Sequence, residues 1–425
     1  MTGAEPVTSE NRFVALLLAH ANASRNILRC LAALILALTG TGIAAAEPLS
    51  PHIAPVVVTL PAPTGDHAIG VVDLHLVDAE RRDPYVPAQQ RELMISIWYP
   101  AADTSAAPVR PWMATDIARI YAEDLASVGV PSADSWALAP SRGRLDAPAD
   151  ISRGARPIVL FSPGMGLSRE LSTAQAEDLA SHGYVVVTMN HTHETFATEF
   201  PDGRIARSVL PPAAEPDEVE KQVAIALPTR VADTRFVLDA LADLAAGANP
   251  DAGRHPLPAQ LADVLDLSKV AMYGHSLGGA TAAQAMYEDR RIGAAANLDG
   301  GLWGPVVSAG LDRPFLLISA EGHHRDDIPS WKQFWSTAGP KLHFQLRGAQ
   351  HHSFCDNQIL ADALAAAGLL PAAGKVQLVG EIDPERSLEV QRGYLRTFFD
   401  TTLGGNADPA HALAMALSPE MTPVP

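Results

Sequence analysis

The stretch Gly274-His275-Ser276-Leu277-Gly278 sets one serine between two glycines, directly after the apolar run KVAMYG and directly before the Ala-rich run LGGATAAQAM. In that context G-x-S-x-G is the pattern a nucleophilic serine needs. A tight strand-to-helix turn holds the serine in a strained backbone conformation, and bulk at the flanking positions would clash with neighbouring backbone. The turn pushes Oγ outward, and the helix N-terminus behind it favours developing negative charge. A hydroxyl also needs a base, and the base an orienting carboxylate, in the chain order serine, acid, histidine. The late histidines are His351 and His352, in QLRGAQHHSF. Of two adjacent side chains only one can point at Ser276. His323 and His324 also follow a strand end, but earlier in the chain. Two places compete for the acid. Asp299, in NLDGG, is a lone carboxylate in apolar, Gly-rich surroundings. Asp326 and Asp327, in GHHRDDIP, are adjacent and flanked by Arg325, as in a solvated turn. The oxyanion of an acyl transfer needs two N–H donors. Leu277, after the serine, is one. Met165, in FSPGMGLS, is the other, since Gly164 and Gly166 allow close backbone approach. No H-E-x-x-H and no Cys/His spacing suggests a metal, and no cofactor is expected.

Presenting these groups takes strands that end at them. IGVVDLHLVD alternates apolar and polar residues and ELMISIWYP follows it, so the two read as an antiparallel pair opening a sheet. From RPIVLF onward the apolar runs are short and continuous, as in strands buried on both faces: YVVVTM, KVAMYG, IGAAANLDG, RPFLLISA and KLHFQLRG. Helical patterns separate them, among them RELSTAQAEDLASHG, a helix over about 219–244 in which Pro228 is a possible break, and helices near 357–368 and 383–402. Strands alternating with helices predict a mostly parallel sheet covered on both faces. Residues 191–218 read as a long loop, a lid if it is functional. No linker divides residues 67–403, which read as one domain. It is preceded by a Pro-rich extension over 47–66 and followed by a loose tail over 404–425.

Together, RPIVLFSPGMG, LASHGYVVVTMNH, GHSLGG, NLDG and GAQHHSFCD resemble the platelet-activating factor acetylhydrolase family, the serine-dependent phospholipase A2-like α/β-hydrolases, and most of all its secreted bacterial members. The likeness runs from about Gly65 to Phe399. It implies the α/β-hydrolase fold, with Ser276 as nucleophile. It takes the acid from the LDG-type stretch, hence Asp299 rather than Asp326 or Asp327. It takes the base from an H-x-x-F-x-D pattern, hence His351, and its oxyanion donors match Leu277 and Met165. The implied activity is hydrolysis of short or oxidised acyl esters, including sn-2 acyl groups of phospholipids. Two positions depart from the family: Pro163 stands where a His is common beside the oxyanion loop, and LDGGLWG has no aromatic directly after its glycine. An acid at Asp326 or Asp327 would instead suit a cutinase-like polyester or triglyceride hydrolase, which carries a similar elbow. A non-catalytic binding protein of the same fold would leave the Ser, Asp and His set without a purpose.

Composition narrows the partners. A 425-residue chain with 47% hydrophobic and 19% charged residues can bury a large core. A formal net charge of −17 and the absence of any Lys/Arg cluster argue against nucleic acid. The expected partner is a small-molecule or lipid ester, with at most transient contact to a lipid surface. SWKQFW spaces Trp331, Phe334 and Trp335 along one helical face, which suits either an acyl pocket or core packing. Arg25 and Arg29 precede the apolar run CLAALILALTGTGIAAA, which ends in an A-x-A-like site before Glu47. Residues 1–46 therefore read as a signal peptide and the protein as secreted, the alternative being an N-terminal membrane anchor. Removing the leader takes Cys30 with it and leaves Cys355, expected to be a buried spectator, without a disulfide partner.

Overall fold

A computed structural model describes residues 55–425 except 128–129, 131–132, 212–214, 406–407 and 417. The predicted signal peptide lies outside the described residues. In chain order the strands are β1 (Val56–Val58), β2 (Ile69–Arg82), β3 (Gln90–Pro100), β4 (Trp136–Leu138), β5 (Arg144–Leu145), β6 (Arg156–Ser162), β7 (Val185–Met189), β8 (Ala197–Glu199), β9 (Ile205–Arg207), β10 (Leu265–His275), β11 (Ile292–Leu298), β12 (Phe315–Ala320), β13 (Lys341–Leu346) and β14 (Met421–Pro423). The helices are α1 (Thr115–Ser127), α2 (Thr173–Ser181), α3 (Pro216–Ala245), α4 (Leu277–Glu288), α5 (Val306–Ala309), α6 (Pro329–Trp335), α7 (Asn357–Ala366), α8 (Ala372–Val379), α9 (Pro384–Gly404) and α10 (Pro409–Met415).

One large sheet runs in the order β14-β13-β12-β11-β10-β6-β7-β3-β2-β5. Its centre, from β7 through β13, is parallel, and the β2–β3 pair joins it antiparallel. The central strands are buried on both sides, so alternate residues must serve different cores. Ile158 and Leu160 of β6 pack with Val270 and Met272 of β10 on the face covered by α3 and α4. Val159 and Phe161 pack with Ala271 and Tyr273 on the face covered by α2 and α9. This is why RPIVLF and KVAMYG read as unbroken apolar runs.

Four expectations change. The helix near 219–244 does not break at Pro228 but runs from Pro216 to Ala245. The lost hydrogen bond is outweighed by an inner face that buries Val223, Leu227, Arg230, Val231 and Leu238. The stretch after Gly404 is not loose: α10 buries Leu413, and β14 pairs with the sheet edge from Phe344 to Leu346. The helix α8 was not expected at all. Residues 191–218 do not form a lid throughout. Positions 191–195 are buried, and β8 and β9 close a short hairpin after them. The described part of the Pro-rich extension lies along the body. There β1 pairs with β4, and the Thr64 N–H donates to Asp178 Oδ1 at 2.8 Å.

Candidate active site

Strand β10 ends at His275 and α4 begins at Leu277, so Ser276 is the whole turn between them. Its backbone sits at φ 56° and ψ −125°, a region costly for any residue with a Cβ. The close packing explains its glycines. A Cβ on Gly274 would lie 2.1 Å from the Gly278 carbonyl carbon, and one on Gly278 would lie 1.9 Å from the Ser162 carbonyl oxygen. Ser276 is partly exposed between buried neighbours.

Three strand ends meet there. His351 Nε2 lies 3.0 Å from Ser276 Oγ, and His351 Nδ1 lies 2.7 Å from Asp299 Oδ2. A carboxylate only accepts, so Nδ1 carries the proton and Nε2 is the acceptor that faces the serine hydroxyl. Asp299 follows β11 at φ 57°, fully buried. Its Oδ1 accepts from Ala320 N–H at 2.8 Å and from His323 Nδ1 at 2.8 Å, which leaves Oδ2 to His351. Burial pushes the Asp299 carboxyl up. The His323 charge and the hydrogen bonds of His323 and His351 outweigh it and hold the group far below the usual carboxylate range. His351 opens a short 3-10 turn, His351–Phe354, after β13. The turn is held by Ser353 Oγ, which donates to the Val379 carbonyl at 2.6 Å. His275 Nε2 donates to the His351 carbonyl at 2.9 Å. Burial and the nearby His351 and His352 charges hold the His275 imidazole well below its ordinary pKa, so it stays a neutral donor.

The structure thus brings together Ser276, Asp299 and His351. His352 is the neighbour that does not reach the serine: it stacks edge-on against His351 instead. Asp326 and Asp327 are exposed after β12. Cys355 is buried, and burial pushes its thiol up to about 12, which suits a spectator. Trp331 and Phe334 are core residues, with the Trp331 Nε1–H on the Gly300 carbonyl at 2.8 Å. The loop carrying Met165 lies against the elbow: a Cβ on Gly164 would stand 3.4 Å from Ser276 Cβ. Met165 is partly exposed beside it.

Sequence reasoning missed what stands behind that loop. Arg230 of α3, fully buried, donates to the Pro163 carbonyl at 2.5 Å, the Gly164 carbonyl at 3.1 Å and Ser162 Oγ at 3.1 Å. Glu194 pairs with its guanidinium. His191 bridges Ser162 Oγ and Asp233 at 2.9 Å each, and Arg91 joins Asp233 to Asp83. Segment 191–195, expected in a lid, is therefore part of the wall behind the loop. The one signal available was the run of polar residues NHTHET directly after a buried strand.

A family model described as platelet-activating factor acetylhydrolase, isoform II, matches residues 56–410. The chain belongs to that family. Among curated relatives, a probable 1-alkyl-2-acetylglycerophosphocholine esterase of Arthroderma benhamiae is 30% identical over 375 residues, covering 81% of this chain and 88% of the relative. The platelet-activating factor acetylhydrolase of Cavia porcellus is 24% identical over 372 residues, covering 81% and 78%. Among solved structures, a ferulic acid esterase from Streptomyces cinnamoneus superposes with a TM-score of 0.70 at 31% identity, covering 87% of this chain and 99% of that one. The fold is the α/β-hydrolase fold, and this member of the family is a carboxylic ester hydrolase.

Proposed function

We propose that this enzyme hydrolyses short or oxidised acyl esters, including sn-2 acyl groups of phospholipids, through Ser276, His351 and Asp299. The observation that carries the reading is the single imidazole of His351, 3.0 Å from the serine oxygen and 2.7 Å from a buried carboxylate. His351 takes the proton from Ser276 Oγ as it attacks the ester carbonyl, and Asp299 orients His351 and stabilises its charged form. The Leu277 and Met165 N–H groups hold the oxyanion. His351 then protonates the departing alcohol, and water attacks the acyl-enzyme with the same base. Residues 1–46 would export the chain. The contact of His351 with Asp299, and the exposure of Asp326 and Asp327, support this reading over the cutinase-like one. The likeness to a ferulic acid esterase supports a second acyl class, aromatic acyl esters.

The test is hydrolysis of p-nitrophenyl esters from acetate to palmitate, with methyl ferulate and a 2-acetyl phospholipid beside them. Short-chain activity abolished by Ser276→Ala and by Asp299→Asn, and retained by Asp327→Asn, is expected. Activity indifferent to Ser276→Ala would overturn the mechanism. Preference for methyl ferulate over the acetyl esters would shift the substrate class. Secretion is checked by fusing residues 1–46 to a reporter and assaying the medium.

A further inference from the structure

We infer that Arg230 is a positioning residue for the oxyanion site: by gripping the Gly164 carbonyl it turns the Met165 N–H toward the ester. The inference rests on the proposed roles of Ser276 and the 162–166 loop.

The argument is one of peptide geometry. The Gly164 C=O and the Met165 N–H belong to one planar trans peptide and point in opposite directions, as do the Pro163 C=O and the Gly164 N–H. Arg230 Nη2 holds the Gly164 oxygen at 3.1 Å, and Nη1 holds the Pro163 oxygen at 2.5 Å. Both carbonyls are therefore drawn to the α3 side, and both N–H groups are left facing away from it. Gly164 is also the point where the loop touches the nucleophile, with its absent Cβ 3.4 Å from Ser276 Cβ and 3.1 Å from His275 Nδ1. The Gly164 carbonyl also accepts from the Leu167 N–H at 3.1 Å, so the loop's own turn fixes part of this orientation, and Arg230 adds a clamp from outside that takes in the Pro163 peptide as well. Preorganised N–H donors are worth most when nothing must reorient during the reaction.

The clamp is itself held rigid. The Arg230 Nε donates to both Glu194 oxygens, at 3.0 and 2.9 Å, and Tyr85 Oη reaches Glu194 Oε2 at 3.5 Å. Arg230 Nη1 shares Ser162 Oγ with His191, whose other nitrogen lies on Asp233, one turn further along α3. Arg230 is 1% exposed, behind the 162–166 loop whose carbonyls it holds. Its five donors reach two carbonyls, a hydroxyl and a carboxylate together, which a lysine ammonium cannot do.

The test compares Arg230→Lys with a double variant, Arg230→Met with Glu194→Leu, which removes the buried pair together and so avoids an orphaned charge. Active sites are counted by stoichiometric phosphorylation with diethyl p-nitrophenyl phosphate. Per counted site, kcat for p-nitrophenyl acetate should fall about 10²-fold in both variants while KM changes little. A trifluoromethyl ketone, whose adduct presents an oxyanion, should lose affinity by a similar factor. A merely structural role would lower the melting temperature and the number of active sites and leave kcat per site and inhibitor affinity unmoved. That outcome, in either variant that folds, overturns the inference. A readout on the wild-type chain does not depend on variant folding. With 15N-labelled Met, assigned through Met165→Leu, the Met165 amide proton should move downfield when the ketone adduct forms. No movement overturns the inference. If Ser276→Ala keeps its activity, the mechanism and this inference fall together. If Ser276→Ala is inactive and the Arg230 variants turn over normally, this inference alone falls.

Discussion

His351 is held at three points, and the three differ in what they do. Asp299 meets its Nδ1, Ser276 faces its Nε2, and His275 holds its carbonyl at 2.9 Å. Asp299→Asn keeps the shape but can present an N–H to His351, which favours the wrong tautomer, and a drop in kcat of about 10⁴-fold is expected. His275→Phe keeps the ring volume and removes the donor to the half-buried His351 carbonyl, a loss of about 0.5–1.5 kcal/mol. If that loss is expressed as misplacement of the proposed base, His351, kcat falls by up to about tenfold with KM unchanged. Steady-state kinetics on p-nitrophenyl acetate, with circular dichroism as the folding control, measures both. An unchanged kcat in His275→Phe would show that the turn at 351–354 holds the base without it. His323, which precedes His351 in the chain, lies 2.8 Å from the other Asp299 oxygen, the one that also accepts from Ala320 N–H. Burial pushes its pKa down, but the Asp299 charge and hydrogen bond outweigh that and raise it.

At the scale of elements, the elbow and the C-terminal segment carry the next predictions. Helix α4 packs so closely under the loop that Gly278→Ala would drive a Cβ to 1.9 Å from backbone, where no side chain can yield. Soluble expression or activity should be lost, and full activity would mean that the elbow is softer than its packing. The segment 406–425 adds α10 and β14, with Leu413 and Met421 buried. Truncation after Gly405 removes both side chains and exposes the β13 edge, a cost of about 3–6 kcal/mol at 1.5–3 kcal/mol per large apolar side chain. Urea unfolding should show the lower midpoint, with activity per folded molecule retained. An unshifted midpoint would mean that the segment is only laid on the surface.

The whole molecule carries an excess of acid, −17, and places part of it in buried pairs. Burial pushes the Asp83 carboxyl up, but hydrogen bonds from His193 and Arg91 and the Arg91 charge bring it down to about 2. Glu92 is likewise at about 2, with burial outweighed by His75 and Arg204. Both folded values lie below those of the unfolded chain. The unfolded chain therefore binds more protons between roughly pH 4 and 2, and stability falls as pH falls through that window. Each group's contribution is present above about pH 5 and lost near pH 2. Thermal unfolding from pH 7 to 2.5 should show a steep fall below pH 4. Asp83→Asn should be less stable at pH 7 and shed its share of the fall. A flat profile below pH 4 would remove these pairs from the balance.

The elbow, the alternation of strands and helices and the two histidines were legible because each depends on neighbours in the chain. A strand period, a pair of glycines about a serine and a cap are local geometry, and local sterics decide them. The choice of Asp299 over Asp326 and Asp327 was open on the residues and closed only by family resemblance. In the structure it follows from where β11 and β12 end. Tertiary contact decided the rest. Pro228 leaves a break open on the sequence because a helix is judged one turn at a time, whereas the buried face of α3 is a sum over eight turns. NHTHET was read as loop because polar runs usually face water. Here its residues meet Arg230, Asp233 and Arg91, which lie up to 101 residues away. A buried charge is affordable only with its partner in place, and no window along the chain contains both. The tail was read as loose because an edge strand of three residues has no pattern of its own and acquires its order from β13.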